Sequence, residues 1–183
     1  MSTTMSADAL TGRTDRDTAL RSIADAVAEA VAKDSAAAVV PFLTRGGCVD
    51  RIGTRICIGR HTVRQDEPEA FGGTDAAPNP VEYALAALLS CQLVTYRFWA
   101  AKLDIPVDNI SAEVDGALDL RGFLGLHDGV RPGLAEVRVR VTVNGPADAV
   151  RYRELAAAVD AHCPTLDLFR STTPVQTELI TGR

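Results

Sequence analysis

Residues 79–103 read NPVEYALAALLSCQLVTYRFWAAKL. The run opens with a helix start. Asn79 suits the N-cap, Pro80 suits the first helical position, and Glu82 falls at the third, where it can complete a capping box. The pattern predicts a helix from Pro80 to about Lys102, about 33 Å long at 1.5 Å per residue. Tyr83–Leu89 has almost no polar face, and a helix that is apolar all round is a buried one. This should be the long, buried central helix of the fold. Glu82, Gln92, Arg97 and Lys102 interrupt it too often for a membrane span.

Upstream, Asp66 to Pro80 reads DEPEAFGGTDAAPNP, a loop of about 15 residues with three prolines and a Gly-Gly pair. Loops of that length inside a compact domain are often functional. Before it, three short strands are expected: Ala36–Leu43, Val49–Ile58 and His61–Gln65, with Arg45-Gly46-Gly47 as a turn. Leu20, Ile23, Val27 and Val31 fall at helical spacing, so Ala19–Lys33 reads as an amphipathic helix. Residues 1–18 carry no apolar period and read as disordered. Downstream, Ile110, Ala112 and Val114 alternate, with Leu118 and Leu120 continuing beyond Gly116. Val137, Val139, Val141 and Val143 alternate with Arg138 and Arg140, the clearest strand signal in the chain. Ala147–His162 reads as a second helix with Val150, Leu155 and Val159 inward, ended by Cys163-Pro164. Val175, Thr177 and Leu179 suggest a last strand. The order βββ–α–ββ–α–β argues an α+β fold with mainly antiparallel sheets. The chain divides into an extension, residues 1–35, and a domain, residues 36–183.

With 183 residues, 46% hydrophobic and 23% charged, the sequence is too apolar for disorder. A net charge of −5 makes nucleic acid and acidic membranes poor candidate partners. No phosphate-binding glycine motif is present. The N-terminus lacks a basic start and an apolar run, so a cytoplasmic location is expected. The four cysteines form no C-x-x-C pair, and His162-Cys163 lacks metal-ligand spacing, so neither a metal nor a cofactor is expected. Cys48 and Cys57 are placed in or near the sheet. Cys91 and Cys163 are either small buried hydrophobes or a reactive pair.

GGTDAAPNPVEYALAALLSC, then TYRFWAAKLDI, resembles the central-helix signature of the OsmC/Ohr family of osmotically inducible and organic hydroperoxide resistance proteins. DEPEAFGG, Arg131-Pro132-Gly133, Ala161-His162-Cys163-Pro164 and Thr173-Pro174-Val175 match as well, over roughly Ala38 to Ile180. The resemblance implies an OsmC-like fold, an intertwined homodimer and an active site at the dimer interface. It implies a thiol-dependent peroxidase acting on organic hydroperoxides. Cys91 would be peroxidatic and Cys163 resolving, and a dithiol reductant, a lipoyl protein or a small thiol, would reset the pair.

A thiolate is the attacking form. Mid-helix, Cys91 gains little from the helix dipole, and apolar burial raises its pKa, so a cation is required. The resemblance points to an arginine near the early strands: Arg45 first, with Arg51 and Arg64 as alternatives. Family peroxidases hold that arginine with a carboxylate directly after Asn-Pro, where Val81 stands here. Glu82 comes one residue later and faces about half a turn away from Cys91. Asp66 or Glu67 are candidate substitutes. Tyr96, Phe98 and Trp99 are core or dimer-contact residues, or line an apolar entrance. His162 either polarises Cys163 or caps a helix end. The rival reading is a non-catalytic module that binds a lipid-like ligand at the same interface.

Overall fold

A computed structural model describes residues 7–182. It contains α1 (Ala7–Lys33), β1 (Thr44–Cys48), β2 (Thr54–Ile58), β3 (His61–Gln65), α2 (Pro80–Lys102), β4 (Asn109–Gly116), α3 (Leu120–Phe123), β5 (Val137–Asn144), α4 (Ala149–His162) and α5 (Pro164–Arg170). The strands form two separate antiparallel sheets, β1-β2-β3 and β4-β5. The fold is α+β.

The helix start at Asn79 forms as the sequence requires. Asn79 Oδ1 accepts from the Val81 and Glu82 amides at 2.9 Å each, and the Glu82 carboxylate accepts from the Asn79 amide at 2.8 Å. Upstream, Asp66 organises the long loop. Its carboxylate accepts from the Glu67, Thr74 and Ala76 amides and from the Thr74 hydroxyl. A Cβ at Gly73 would lie 1.8 Å from the Glu67 carbonyl oxygen, so the chain closes there only with glycine.

β4 and β5 pair along their whole length, Asn109 opposite Asn144 through Gly116 opposite Val137. Ile110, Val114 and the four valines of β5 face the core, while Arg140 reaches Glu113 and Asp115 on the outer face. Period-two alternation therefore has its expected cause, one greasy face and one wet face. The core gathers Leu88, Tyr96 and Ala100 from α2, Ile105 and Val107 from the turn after it, Leu155 and Val159 from α4, and Cys163 and Leu166 beyond. α2 is the one helix among the described residues long and apolar enough to cross a bilayer. It packs instead against α1, β4, α4 and α5. Its burial is one-sided in the single chain: Leu88, Gln92, Thr95 and Tyr96 are covered, while Val94 is 65% exposed.

Several expectations are corrected. Residues 7–18 are helical, not disordered, because tertiary bonds hold them where local apolar period is missing; residues 1–6 lie outside the described residues. Arg13 pairs with Asp108, Arg16 donates to the Val107 carbonyl at 3.0 Å, and Arg21 to that of Ala101 at 3.3 Å. The first strand is not 36–43. A short 3-10 turn, Ser35–Ala38, precedes an extended run that pairs with nothing, and β1 instead takes in Arg45-Gly46-Gly47. Gly46 faces Ile56 so closely that a Cβ would sit 2.3 Å from the Ile56 side chain, which is why glycine occurs in a strand rather than a turn. Residues 175–179 also pair with no strand within the chain. An apolar alternation becomes a strand only beside another strand, and neither segment has one here. β4 stops at Gly116, so Leu118 lies past it and Leu120 opens α3. Val150 is exposed, since the first turn of α4 projects past the core. Cys163-Pro164 does end α4, but proline also suits the first position of a new helix, and α5 follows at once.

Candidate active site

Cys91 sits in the middle of α2, and Cys163 at the joint between α4 and α5. They are 72 residues apart in sequence, yet the Cys163 thiol donates to the Cys91 sulfur at 3.5 Å. Cys163 is only 2% exposed and Cys91 is half-buried. The open cysteine is thus the one positioned to meet a solute, and the closed one waits behind it.

The two sulfurs are electrostatically unequal. Burial pushes the Cys91 thiol up, but the Thr165 hydroxyl and amide, the Cys163 thiol and the Thr95 hydroxyl outweigh it, and the net shift is down from the ordinary 9.0. Cys163 moves the other way. Burial raises it, the Leu166 amide opposes that, and its bond to Cys91 raises it further. Of the two thiols, Cys91 is therefore the one that ionises first. Thr95 also fixes the helix locally, its hydroxyl donating to the Cys91 carbonyl at 2.7 Å.

Arg45 is not brought to this pair within the single chain. It lies exposed on β1 opposite Cys57, and its side chain has no hydrogen-bond or ion-pair partner among the described residues. Arg64 lies 3.7 Å from Asp50, and its carbonyl accepts from the Tyr83 hydroxyl at 2.9 Å, tying β3 to the first turn of α2. Arg51 is exposed in the β1–β2 turn. Glu82 is spent on the capping box and Asp66 on the loop, so neither is free to clamp an arginine. Cys48 and Cys57 lie in the sheet as expected but are exposed rather than buried. His162 does not turn to Cys163. It stacks on Trp99 with ring centres 4.3 Å apart, and the Lys102 ammonium lies 4.2 Å from the Trp99 ring centre. Thr165 was missed by sequence reasoning. Its only signal is its place directly after Cys163-Pro164, where a new helix starts.

A cleft of about 730 Å³ opens between α2, β5 and α5. Leu88, Gln92, Leu166 and Phe169 line it, with Arg131 and Arg170 also on its wall. Leu88 and Gln92 are near Cys91 along α2, but neither Cys91 nor Cys163 lines the cleft.

The sequence model described as OsmC-like protein matches residues 73–178, more than half of the chain. Among curated proteins, none matches. The fold is similar to that of an OsmC-like protein from Mycoplasma pneumoniae, with TM-score 0.62 and 17% identity, over 72% of this chain and 88% of that one. It is similar to an organic hydroperoxide resistance protein OsmC from Legionella pneumophila, with TM-score 0.58 and 16% identity, over 72% and 90%. It is also similar to an organic hydroperoxide resistance protein from Elizabethkingia anophelis, with TM-score 0.56 and 15% identity, over 72% and 89%. These likenesses are of fold. The matched span takes in both Cys91 and Cys163, and the chain belongs to the OsmC-like protein family.

Proposed function

We propose that the chain is a cytoplasmic thiol peroxidase that reduces organic hydroperoxides through Cys91 and Cys163. The observation that carries this reading is the 3.5 Å contact in which the buried thiol donates to the more exposed sulfur. The Cys91 thiolate attacks the terminal peroxide oxygen, the O–O bond breaks, and the alkoxide leaves and takes a proton to become the alcohol. Cys91 is then a sulfenic acid. The Cys163 sulfur displaces its hydroxyl, water leaves, and a disulfide joins the two residues. A dithiol, a lipoyl protein or a small thiol, reduces that disulfide and is itself oxidised.

The working form is an intertwined homodimer. Phe42 is 91% exposed, Val175 84% and Leu179 86%, each in a segment of strand-like sequence with no strand beside it. A second chain that supplies those strands also covers the open side of α2. Dimer formation brings an Arg45 to Cys91, and its guanidinium supports the thiolate and the leaving oxygen. Residues 36–183 form the catalytic domain, and residues 1–35 are an extension held onto the turn after α2.

Stopped-flow consumption of tert-butyl hydroperoxide by the reduced protein tests the reading. Wild type is expected to consume it and Cys91→Ser is not; equal rates remove the proposal. Val81 stands where a clamping carboxylate would be, and that favours a second reading, a binding module that takes a lipid-like ligand in the cleft. It predicts thermal stabilisation by such ligands in a protein inert to peroxide.

A further inference from the structure

The end of α4 meets α2 through two consecutive residues. Cys163 turns into the core, and its sulfur lies 3.5 Å from that of Cys91. His162 is exposed and lays its ring on Trp99 of α2. The ring centres are 4.3 Å apart and the planes 10° from parallel, the geometry of a stacked pair. Trp99 is held by a second neighbour as well, since the Lys102 ammonium lies 4.2 Å from its ring centre. Trp99 starts about 12 Å further along α2 than Cys91, but helical side chains lean toward the N-terminus, so the residue next to Cys163 can reach it. Cys163 itself is the joint between two helices. Its amide closes α4 on the Val159 carbonyl at 2.9 Å, and its carbonyl accepts the Asp167 amide of α5 at 3.0 Å. Its own backbone is extended, with φ −80° and ψ 112°, so the chain can swivel there. Leu155 and Val159, both fully buried, fix where α4 lies; the stack is what holds its last residue.

We propose that His162 and Trp99 are positioning residues, whose stack holds the joint so that the Cys163 sulfur stays within closing reach of Cys91. The proposal rests on the reading of the two cysteines as a redox pair and adds the device that keeps them together. A disulfide closes only when the two Cα atoms stand within about 7 Å and the side chains converge. A swing of the joint by about 1–2 Å takes the pair toward the edge of that window. Little buried surface resists such a swing at its outer side, because His162 is exposed. The ring contact supplies the missing hold. His162 thus acts on the place of Cys163 and not on its proton.

The test is the equilibrium of the Cys91–Cys163 disulfide with glutathione in the full chain, read by peptide mass so that Cys48 and Cys57 are scored separately. In that exchange the two protein thiols form one S–S bond and give up two electrons and two protons, and oxidised glutathione takes them to become two thiols. His162→Ala removes the ring. A stacked pair is worth up to about tenfold in an equilibrium, so the constant for disulfide formation is expected to fall about three- to tenfold. His162→Phe keeps a flat ring on Trp99 and is expected to restore the wild-type constant. Trp99→Leu should lower the constant as far as His162→Ala does, and the two substitutions together no further than either alone, because both remove one contact. A role in stability alone gives a different result: the urea midpoints of the reduced and oxidised forms fall equally and the redox constant stays where it was. A His162→Ala constant equal to wild type overturns the proposal, as does a His162→Phe constant as low as that of His162→Ala. If His162→Ala does not fold, His162→Gln carries the same test, with the same two outcomes. The readout uses no peroxide. A protein inert to peroxide whose constant still depends on His162 counts against the peroxidase reading and not against the positioning; a protein active on peroxide whose constant ignores His162 does the reverse.

Discussion

Oxidation should stabilise this protein, and the amount follows from the geometry. The two sulfurs lie 3.5 Å apart and a disulfide needs about 2.05 Å, so they must close by about 1.5 Å. A side-chain rotation at Cys91, which is half-buried, supplies much of that without unseating α2 or α5. The bond then closes a loop of 72 residues. On the chain-entropy account a loop of that size removes about 4 kcal/mol of freedom from the unfolded state. The native state loses a thiol–sulfur hydrogen bond and gains some strain, so a net stabilisation of about 2–4 kcal/mol is expected. The assay is urea unfolding of the reduced protein and of protein treated with one equivalent of peroxide, at equal protomer concentration so that any subunit association cancels. With a slope of about 2 kcal/mol per molar, the midpoint should rise by about 1–2 M. Cys163→Ser should show no peroxide-dependent shift. A Cys91–Cys163 link proven by peptide mass in a protein that unfolds no later, or earlier, than its reduced form would refute the reasoning. It would mean that closing the bond distorts the joint by as much as the loop entropy gives.

Leu155→Ala empties a fully buried site between α4 and α2 and should cost about 2–5 kcal/mol in the same urea assay. Asn79→Ala removes the cap that two amides of α2 share and should cost about 1 kcal/mol. Asp66 is held below the ordinary carboxylate value of 3.8, first by the Thr74 hydroxyl and then by loop amides. Its contribution is therefore fully present well above pH 3.8 and is lost as pH falls below it, so Asp66→Asn should destabilise at pH 7 and flatten the acid limb of a stability–pH curve. Phe42→Glu places a charge on a residue 91% exposed in one chain; size-exclusion chromatography should show the proposed dimer for wild type and a monomer for the variant, and equal elution volumes would count against the interface.

What could be read in advance depended on whether the cause was local. The α2 helix was legible to the residue because its start is written in three side chains, Asn79, Pro80 and Glu82, that act on one another. The β4-β5 pair was legible because a two-sided sheet imposes its period on the residues. Cys91 and Cys163 were singled out by residue type and by family resemblance, and the fold brings them into contact. The first half of α1 was not legible, because arginines reaching a turn some 80 or more residues away hold it in place. Residues 36–43 have the composition of a strand and no strand to pair with. The start of α5 directly after Cys163 was not legible either, since Cys163-Pro164 reads as a helix end and the same proline opens a new helix.

Two gaps in the single chain have the same shape. One is structural: residues 39–43 and 175–180 carry large apolar side chains into water, and α2 is covered on one side only. The other is chemical: among the described residues no cation meets the sulfur pair, while the Arg45 side chain stands exposed on β1 without an ion-pair partner. Exposed strands and exposed apolar surface are costly in water, and an attacking thiolate gains from a fixed positive charge. The proposed second copy of the chain would answer both needs with one contact, because the strand that carries Arg45 directly follows the unpaired segment 39–43. Within one chain the pKa of the Cys91 thiol is lowered, the Thr165, Cys163 and Thr95 groups outweighing its burial. On this view a monomeric Phe42→Glu protein keeps its Cys91–Cys163 contact and loses the share of peroxide rate that a guanidinium adds.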